Sequence, residues 1–177
     1  MVEVGYYNGK YGPLAEMEIP MLDRACYFGD GVYDFSLAHK DKIFVIDEHI
    51  DRIYKSAAMI EIDIPYSKEE MKAILYEAVS KSECEDVSIY WQVSRGTDIR
   101  NHIYPGADKK ANLMIMVKPG KVAGVDKRFK LITLEDTRYL HCNIKTINLL
   151  PSVIASEKAR KAGCDEAVLH RGDRVTE

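Results

Sequence analysis

No unbroken apolar run in this chain exceeds the five residues from Leu113 to Val117. A transmembrane helix needs about 20 such residues in a row, so the core must be assembled from short elements that each hide one face. With 46% of its 177 residues apolar, the chain has material for an ordinary globular core. Lys and Arg number 25 and Asp and Glu 28, a net charge of −3, and no dense basic run is present. That balance disfavours nucleic acid as a partner. The start, Met1-Val2-Glu3-Val4-Gly5, lacks the basic-then-apolar layout of a secretory leader. A cytoplasmic protein with no membrane partner is the expectation.

Cys26, Cys84, Cys142 and Cys164 lie too far apart for a C-x-x-C redox pair or a zinc knuckle. His39, His49, His102, His141 and His170 form no H-x-x-x-H or H-E-x-x-H pattern. Reduced thiols and no metal site are the readings that follow.

The first third reads as strands, with Lys42-Ile43-Phe44-Val45-Ile46 the clearest short apolar run. A helix is expected from about Asp47, an N-cap candidate, because Ile50, Ile53, Tyr54 and Ala57 share one face. Ser67 and Glu70 spell a capping box for a second helix, whose stripe is Met71, Ile74, Leu75, Ala78 and Val79. Strands are predicted over Val87–Val93 and Asn112–Val117, with a long polar loop between them. Lys118-Pro119-Gly120-Lys121 is the best boundary signal. Beyond it come a strand over Lys130–Leu134, a helix over Pro151–Ala162 followed by Gly163, and a strand over Glu166–His170. Arg171-Gly172-Asp173-Arg174 is a turn and Val175-Thr176-Glu177 the start of a return strand. A two-stranded hairpin needs further packing to be stable, so the chain is expected to be part of a longer polypeptide. Residues 1–118 would form one domain and 119–177 the first part of a second.

Read one by one, the chemically interesting residues are ordinary. Lys145 has apolar neighbours and no adjacent carboxylate, surroundings that favour the neutral amine of a Schiff-base lysine, or a snorkelling side chain with its head in water. Arg52 offers a planar fork for a phosphate, or joins a solvated face with Asp51 and Lys55. Tyr33 follows two glycines and doubles as a core aromatic. Arg100 and His102, two apart on the loop, could grip one carboxylate or simply be solvated. Glu177 alone is a surface acid.

Taken together, they stand in a known order. Asp23-Arg24-Ala25-Cys26-Tyr27-Phe28-Gly29-Asp30-Gly31-Val32-Tyr33-Asp34 resembles the D-R-G-x-x-x-G-D-G-V-Y/F-E segment of class IV aminotransferases, enzymes of pyridoxal phosphate (PLP). Glu48-His49-Ile50-Asp51-Arg52-Ile53 is similar to their E-H-L/I-x-R-L segment, and Asn143–Asn148 to the stretch around their Schiff-base lysine. Asp165–His170, the turn and Val175-Thr176-Glu177 resemble the family's strand, turn and V-x-E. Ala25 replaces the family's usual glycine. Gln92–Thr97 followed by Arg100-Asn101-His102 looks like the loop of the D-amino-acid aminotransferase subgroup.

The resemblance implies an α+β, two-domain fold-type IV enzyme with the second domain truncated in this chain. It implies Lys145 as catalytic residue and PLP anchor, Arg52 on the cofactor phosphate and Glu177 on the pyridine nitrogen. It implies Tyr33, Arg100 and His102 as the trap for the substrate carboxylate, and a homodimer, because the family's loop reaches a neighbouring subunit. The implied reaction is transamination of a D-amino acid with 2-oxoglutarate, giving a 2-oxo acid and D-glutamate. Phe35, two residues from Tyr33 on an extended segment, would share its face and limit side-chain size. The alternatives are a branched-chain aminotransferase, a 4-amino-4-deoxychorismate lyase of the same fold, and a non-catalytic fragment.

Overall fold

The computed structural model describes residues 1–121 and 124–177. In chain order the elements are β1 (Val4–Tyr7), β2 (Lys10–Pro13), α1 (Arg24–Phe28), β3 (Gly31–His39), β4 (Lys42–Ile43), α2 (Ile46–Met59), α3 (Lys68–Ser80), β5 (Asp86–Ser94) and β6 (Asn112–Pro119). They are followed by β7 (Leu131–Glu135), α4 (Leu150–Lys161), β8 (Glu166–Arg171) and β9 (Arg174–Val175). The chain divides into two units: the N-terminal strands and helices together with Asn143–Ile147, and the remainder. The boundary expected at 118/119 therefore groups Lys145 with the second part, whereas its segment packs with the first.

In the first unit, six antiparallel strands run in the order β2-β1-β6-β5-β3-β4. Strand alternation sends every second side chain to the helix-covered face. Val87, Ile89, Trp91 and Val93 of β5 and Leu113, Ile115 and Val117 of β6 are all at most 1% exposed. Ile50, Ile53 and Ala57 of α2 and Met71, Leu75, Ala78 and Val79 of α3 complete the same buried cluster. The capping box forms as spelled: Ser67 Oγ accepts from the Glu70 N–H and the Glu70 carboxylate accepts from the Ser67 N–H.

The run Lys42–Ile46 behaves differently from its apolar look. Only Lys42 and Ile43 form strand; Phe44 and Val45 are 70% and 42% exposed, and Val45 takes a left-handed φ of 40° directly before α2. The helix thus starts at Ile46, one residue ahead of Asp47, which lies in the first turn and pairs with Lys72 of α3 instead of capping.

In the second unit β7 and β8 are parallel neighbours joined through α4, and β9 returns antiparallel beside β8. A parallel pair needs such a crossover connection. The hairpin predicted around Gly172 is present, with the glycine at a φ of 59°. No helix among the described residues is long and apolar enough to cross a membrane.

Candidate active site

The turn into β3 sets the first half of the site. Asp23 caps α1 by accepting from the Ala25 N–H, and Gly29 ends the helix in the left-handed conformation at a φ of 60°. Two residues on, a Cβ on Gly31 would lie 2.7 Å from the Val93 carbonyl oxygen and 3.2 Å from the Ile147 Cδ1. Glycine there lets a further segment approach β3. The segment is Asn143–Ile147: the Tyr33 N–H donates to the Lys145 carbonyl at 2.9 Å, and the Ile147 N–H to the Gly31 carbonyl at 3.1 Å. Because β4 pairs only with Ala38 and His39, the Gly31 end of β3 has an open edge to receive it.

That pairing brings Lys145 to Tyr33. The Lys145 Nζ donates to the Tyr33 hydroxyl at 3.2 Å and lies 4.2 Å from the ring centroid. Among the described residues Lys145 has no carboxylate partner. Its backbone N–H is held by the Ser56 hydroxyl of α2 at 3.2 Å. Tyr33 stacks on Tyr90 of β5 at 5.5 Å, and burial pushes the Tyr90 phenol up to about 12. Phe35 shares this outward face and is 45% exposed.

Asp34, between them in sequence, points the other way and is fully buried. A buried carboxylate must be paired, and Arg52 meets it with a bidentate fork, Nε to Oδ2 at 2.8 Å and Nη2 to Oδ1 at 2.7 Å. His49 Nδ1 lies 2.8 Å from the same Oδ1. The Asp34 hydrogen bonds, opposed in part by burial, raise the Arg52 guanidinium above its ordinary range. Arg52 is therefore no member of an Asp51/Lys55 surface face; Asp51 pairs with Lys68. Its Nη1 has no partner among the described residues and the side chain is half exposed. The resemblance gave Arg52 a role and included Asp34 in its motif without one. The signal was there: an acid at a core-facing position of an alternating strand.

Arg100 and His102 come together elsewhere. Both rest on the ring of Phe28, Arg100 Cζ at 5.1 Å and the His102 ring at 4.9 Å from its centroid. Both are exposed, and neither has a hydrogen-bond or ion-pair partner among the described residues. No such bond links them to Tyr33 or Lys145. The loop that carries them is braced from behind by Asp30, which accepts from Arg24 Nε at 2.8 Å and from Arg95 Nε at 2.9 Å. Arg24 in turn donates to the Asn101 carbonyl, and Arg95 lies 3.6 Å from the Tyr104 ring centroid. Sequence reading passed over this brace, although two buried arginines flanking one aspartate are its direct mark.

Glu177 belongs to the second unit. Its N–H and that of Thr176 both donate to the Leu169 carbonyl, and the Leu169 N–H returns a bond to the Glu177 carbonyl. Arg138 donates to Glu177 Oε2; Oε1 has no partner among the described residues.

Three comparisons with known proteins bear on this arrangement. Residues 31–177 match the family described as Amino-transferase class IV. The chain belongs to that family. The D-alanine aminotransferase of Listeria monocytogenes serotype 4b (strain F2365) is 42% identical over 164 residues, 90% of this chain and 56% of that protein. The D-alanine aminotransferase of Staphylococcus haemolyticus is 34% identical over 174 residues, 97% of this chain and 62% of that one. The branched-chain aminotransferase of the thermophilic archaeon Thermoproteus uzoniensis, solved with norvaline, superposes with a TM-score of 0.80 at 22% identity over 98% of this chain and 62% of its own. The fold is thus that of fold-type IV aminotransferases, and the chain spans 56% and 62% of the two curated relatives' lengths.

Class IV aminotransferases use pyridoxal 5′-phosphate, and another branched-chain enzyme of this fold is solved with pyridoxamine 5′-phosphate. Each unit carries groups that suit the cofactor: in the first, an amine at Lys145 without a carboxylate partner and a guanidinium at Arg52 whose Nη1 has no partner, and in the second, a carboxylate at Glu177 whose Oε1 has none, all among the described residues. Those are the groups an aldehyde, a phosphate and a pyridine N–H call for.

Proposed function

We propose that this chain supplies the Schiff-base lysine, phosphate arginine and pyridine acid of a pyridoxal-phosphate aminotransferase acting on D-amino acids. The observation that carries the reading is the Lys145 amine set against Tyr33 with no carboxylate partner among the described residues. The 34–42% identity to D-alanine aminotransferases supports the substrate class. When bound, the cofactor supplies an electron sink for the bonds at the substrate Cα. Lys145 Nζ would anchor it and would serve as the acid and base that moves the Cα proton. Arg52 would hold the phosphate with the part of its guanidinium that Asp34 leaves uncommitted. Glu177 would accept from the protonated ring nitrogen. The net exchange is D-alanine plus 2-oxoglutarate to pyruvate plus D-glutamate.

Tyr33, Arg100 and His102 bind the substrate carboxylate, and Phe35 borders the side-chain space. Arg100 and His102 are exposed on a braced loop beside Ile99 and Ile103, 70% and 73% exposed, and Met21, 90% exposed. Such an apolar patch suits a second copy of the chain, so the enzyme is a homodimer in which each loop serves its neighbour. The four free cysteines accord with a cytoplasmic setting.

The test is PLP incubation of the full-length protein, borohydride reduction and peptide mapping, followed by assays with D-alanine and with L-leucine. A phosphopyridoxyl group on Lys145 with D-alanine turnover supports the reading. An adduct with turnover of L-leucine alone gives the branched-chain alternative, and no adduct ends the cofactor assignment. Mixing a Lys145→Ala enzyme with an Arg100→Ala enzyme tests the shared site: recovered activity is expected, and none would leave each loop serving its own subunit.

A further inference from the structure

Glu177 is held more elaborately than a surface acid requires. In a regular strand, consecutive side chains leave on opposite faces. Here Thr176 and Glu177 both donate their N–H to one acceptor, Leu169 O, as two residues do against one in a β-bulge. The consequence is that both side chains reach the same ion pair. Thr176 Oγ1 donates to Asp136 Oδ2 at 2.8 Å, and Glu177 Oε2 accepts from Arg138 Nη1.

Asp136 is the floor of this arrangement. Its N–H is tied to the His170 carbonyl at 2.7 Å, directly after β7, and its carboxylate is 1% exposed. Arg138 lays its fork on it, Nε to Oδ1 at 3.0 Å and Nη2 to Oδ2 at 3.1 Å, and its own N–H adds a bond to Oδ1. Arg171 closes the other side, Nη2 lying 3.2 Å from Oδ2. The Arg138 hydrogen bonds hold the Asp136 carboxyl far below the usual carboxylate range. With Nε and Nη2 committed downward, Arg138 has Nη1 directed at Glu177. One carboxylate oxygen is thereby pinned, and the other has no partner among the described residues.

We propose that Arg138, seated on Asp136, is the positioning residue of the cofactor acid: it fixes Glu177 so that Oε1 is presented to the ring nitrogen of pyridoxal phosphate. The proposal rests on the cofactor reading above. A fixed acid meets the ring without first losing side-chain freedom, and the permanent arginine charge beside it moderates how strongly the acid draws on the ring proton. A glutamate with the same sequence position but no arginine would bind the cofactor more weakly and perturb its absorption differently.

The experiment is a double-mutant cycle in the full-length protein, with Arg138→Gln, Glu177→Gln and both together. The readouts are the PLP dissociation constant and the visible absorption of the bound cofactor, neither of which depends on turnover. The borohydride adduct at Lys145 in the parent comes first; without it the cofactor reading fails, and this proposal with it. With the adduct formed, Arg138→Gln is expected to weaken PLP binding about tenfold and shift the absorption band. The double variant should then fall within about twofold of Glu177→Gln alone, because a group acting through Glu177 has nothing left to act on. Additive losses would make Arg138 a structural residue and overturn the proposal while leaving the cofactor reading intact, as would a parent-like Arg138→Gln. Should Arg138→Gln fail to fold, Arg138→Lys enters the cycle on the same criteria: it keeps one charge but cannot span both carboxylates.

Discussion

The two units hold themselves together by different means. Every residue of the contiguous buried cluster lies in the first unit, where helices α2 and α3 cover one face of the six-stranded sheet. Among the described residues the second unit buries only Ala159 and Leu169 of its apolar side chains, while Leu150, Val153 and Val175 are 60% exposed or more. Its order rests on the β7-α4-β8 ladder and on the Asp136 network. A hydrophobic core is non-directional and tolerant, whereas a buried polar network depends on every partner being in place. Substitutions in the two units should therefore cost different amounts and respond to different conditions.

The largest effect belongs to the first unit. Leu75→Ala empties a fully buried position on α3 and is expected to cost about 2–5 kcal/mol. Urea unfolding followed by Trp91, the single tryptophan and itself fully buried, measures it. A loss under about 1 kcal/mol would show that the sheet's core is looser than its burial implies. Next is Asp136→Asn in the second unit, expected to cost about 1–3 kcal/mol at neutral pH by orphaning its donors. Its folded-state pKa is depressed, so the parent's advantage is complete above the free aspartate value of about 4 and drains away as pH falls toward the folded value. Hydrogen exchange of β7 and β8 from about pH 7 downward should show parent and variant converging; a constant gap would contradict the linkage.

Ser67→Ala removes half of the α3 capping box and should cost about 1 kcal/mol, read as a shift in the same urea midpoint. Smallest is Val153→Ala. On an exposed position of α4 it should stay within about 0.5 kcal/mol. A cost like that of Leu75→Ala would mean that this face is covered in solution, and the contrast between the units would shrink accordingly.

What could be read from the sequence divides along similar lines. Local signals were legible: the Ser67/Glu70 box, the stripes of α2 and α3, the alternation of β5 and β6, and the hairpin at Gly172 depend on residues close in the chain. The strand expected over Lys42–Ile46 failed because an apolar run carries no sign of where helix α2 takes over, and Phe44 and Val45 stay exposed. Pairings across long separations were hidden. Nothing near Lys145 announces that its segment docks on β3, 112 residues earlier at Tyr33. Asp34 and Asp136 carry their arginines in the fold, but a sequence shows only isolated acids. The family motifs named Lys145, Arg52 and Glu177 and were silent on what holds each one still.

The path of the chain through Asn143–Ile147 also decides how the protein can be divided. The backbone completes the first sheet, leaves, returns for five residues beside β3 and leaves again. No single cut then separates fold from reactivity cleanly. A piece ending near residue 121 would keep the helices, the sheet and the Arg52–Asp34 pair yet lack its amine, with the Gly31 edge of β3 bare. Supplied as a separate peptide, the missing segment would have to find that edge by main-chain pairing, which makes reconstitution from two pieces a direct gauge of how much the docking itself is worth.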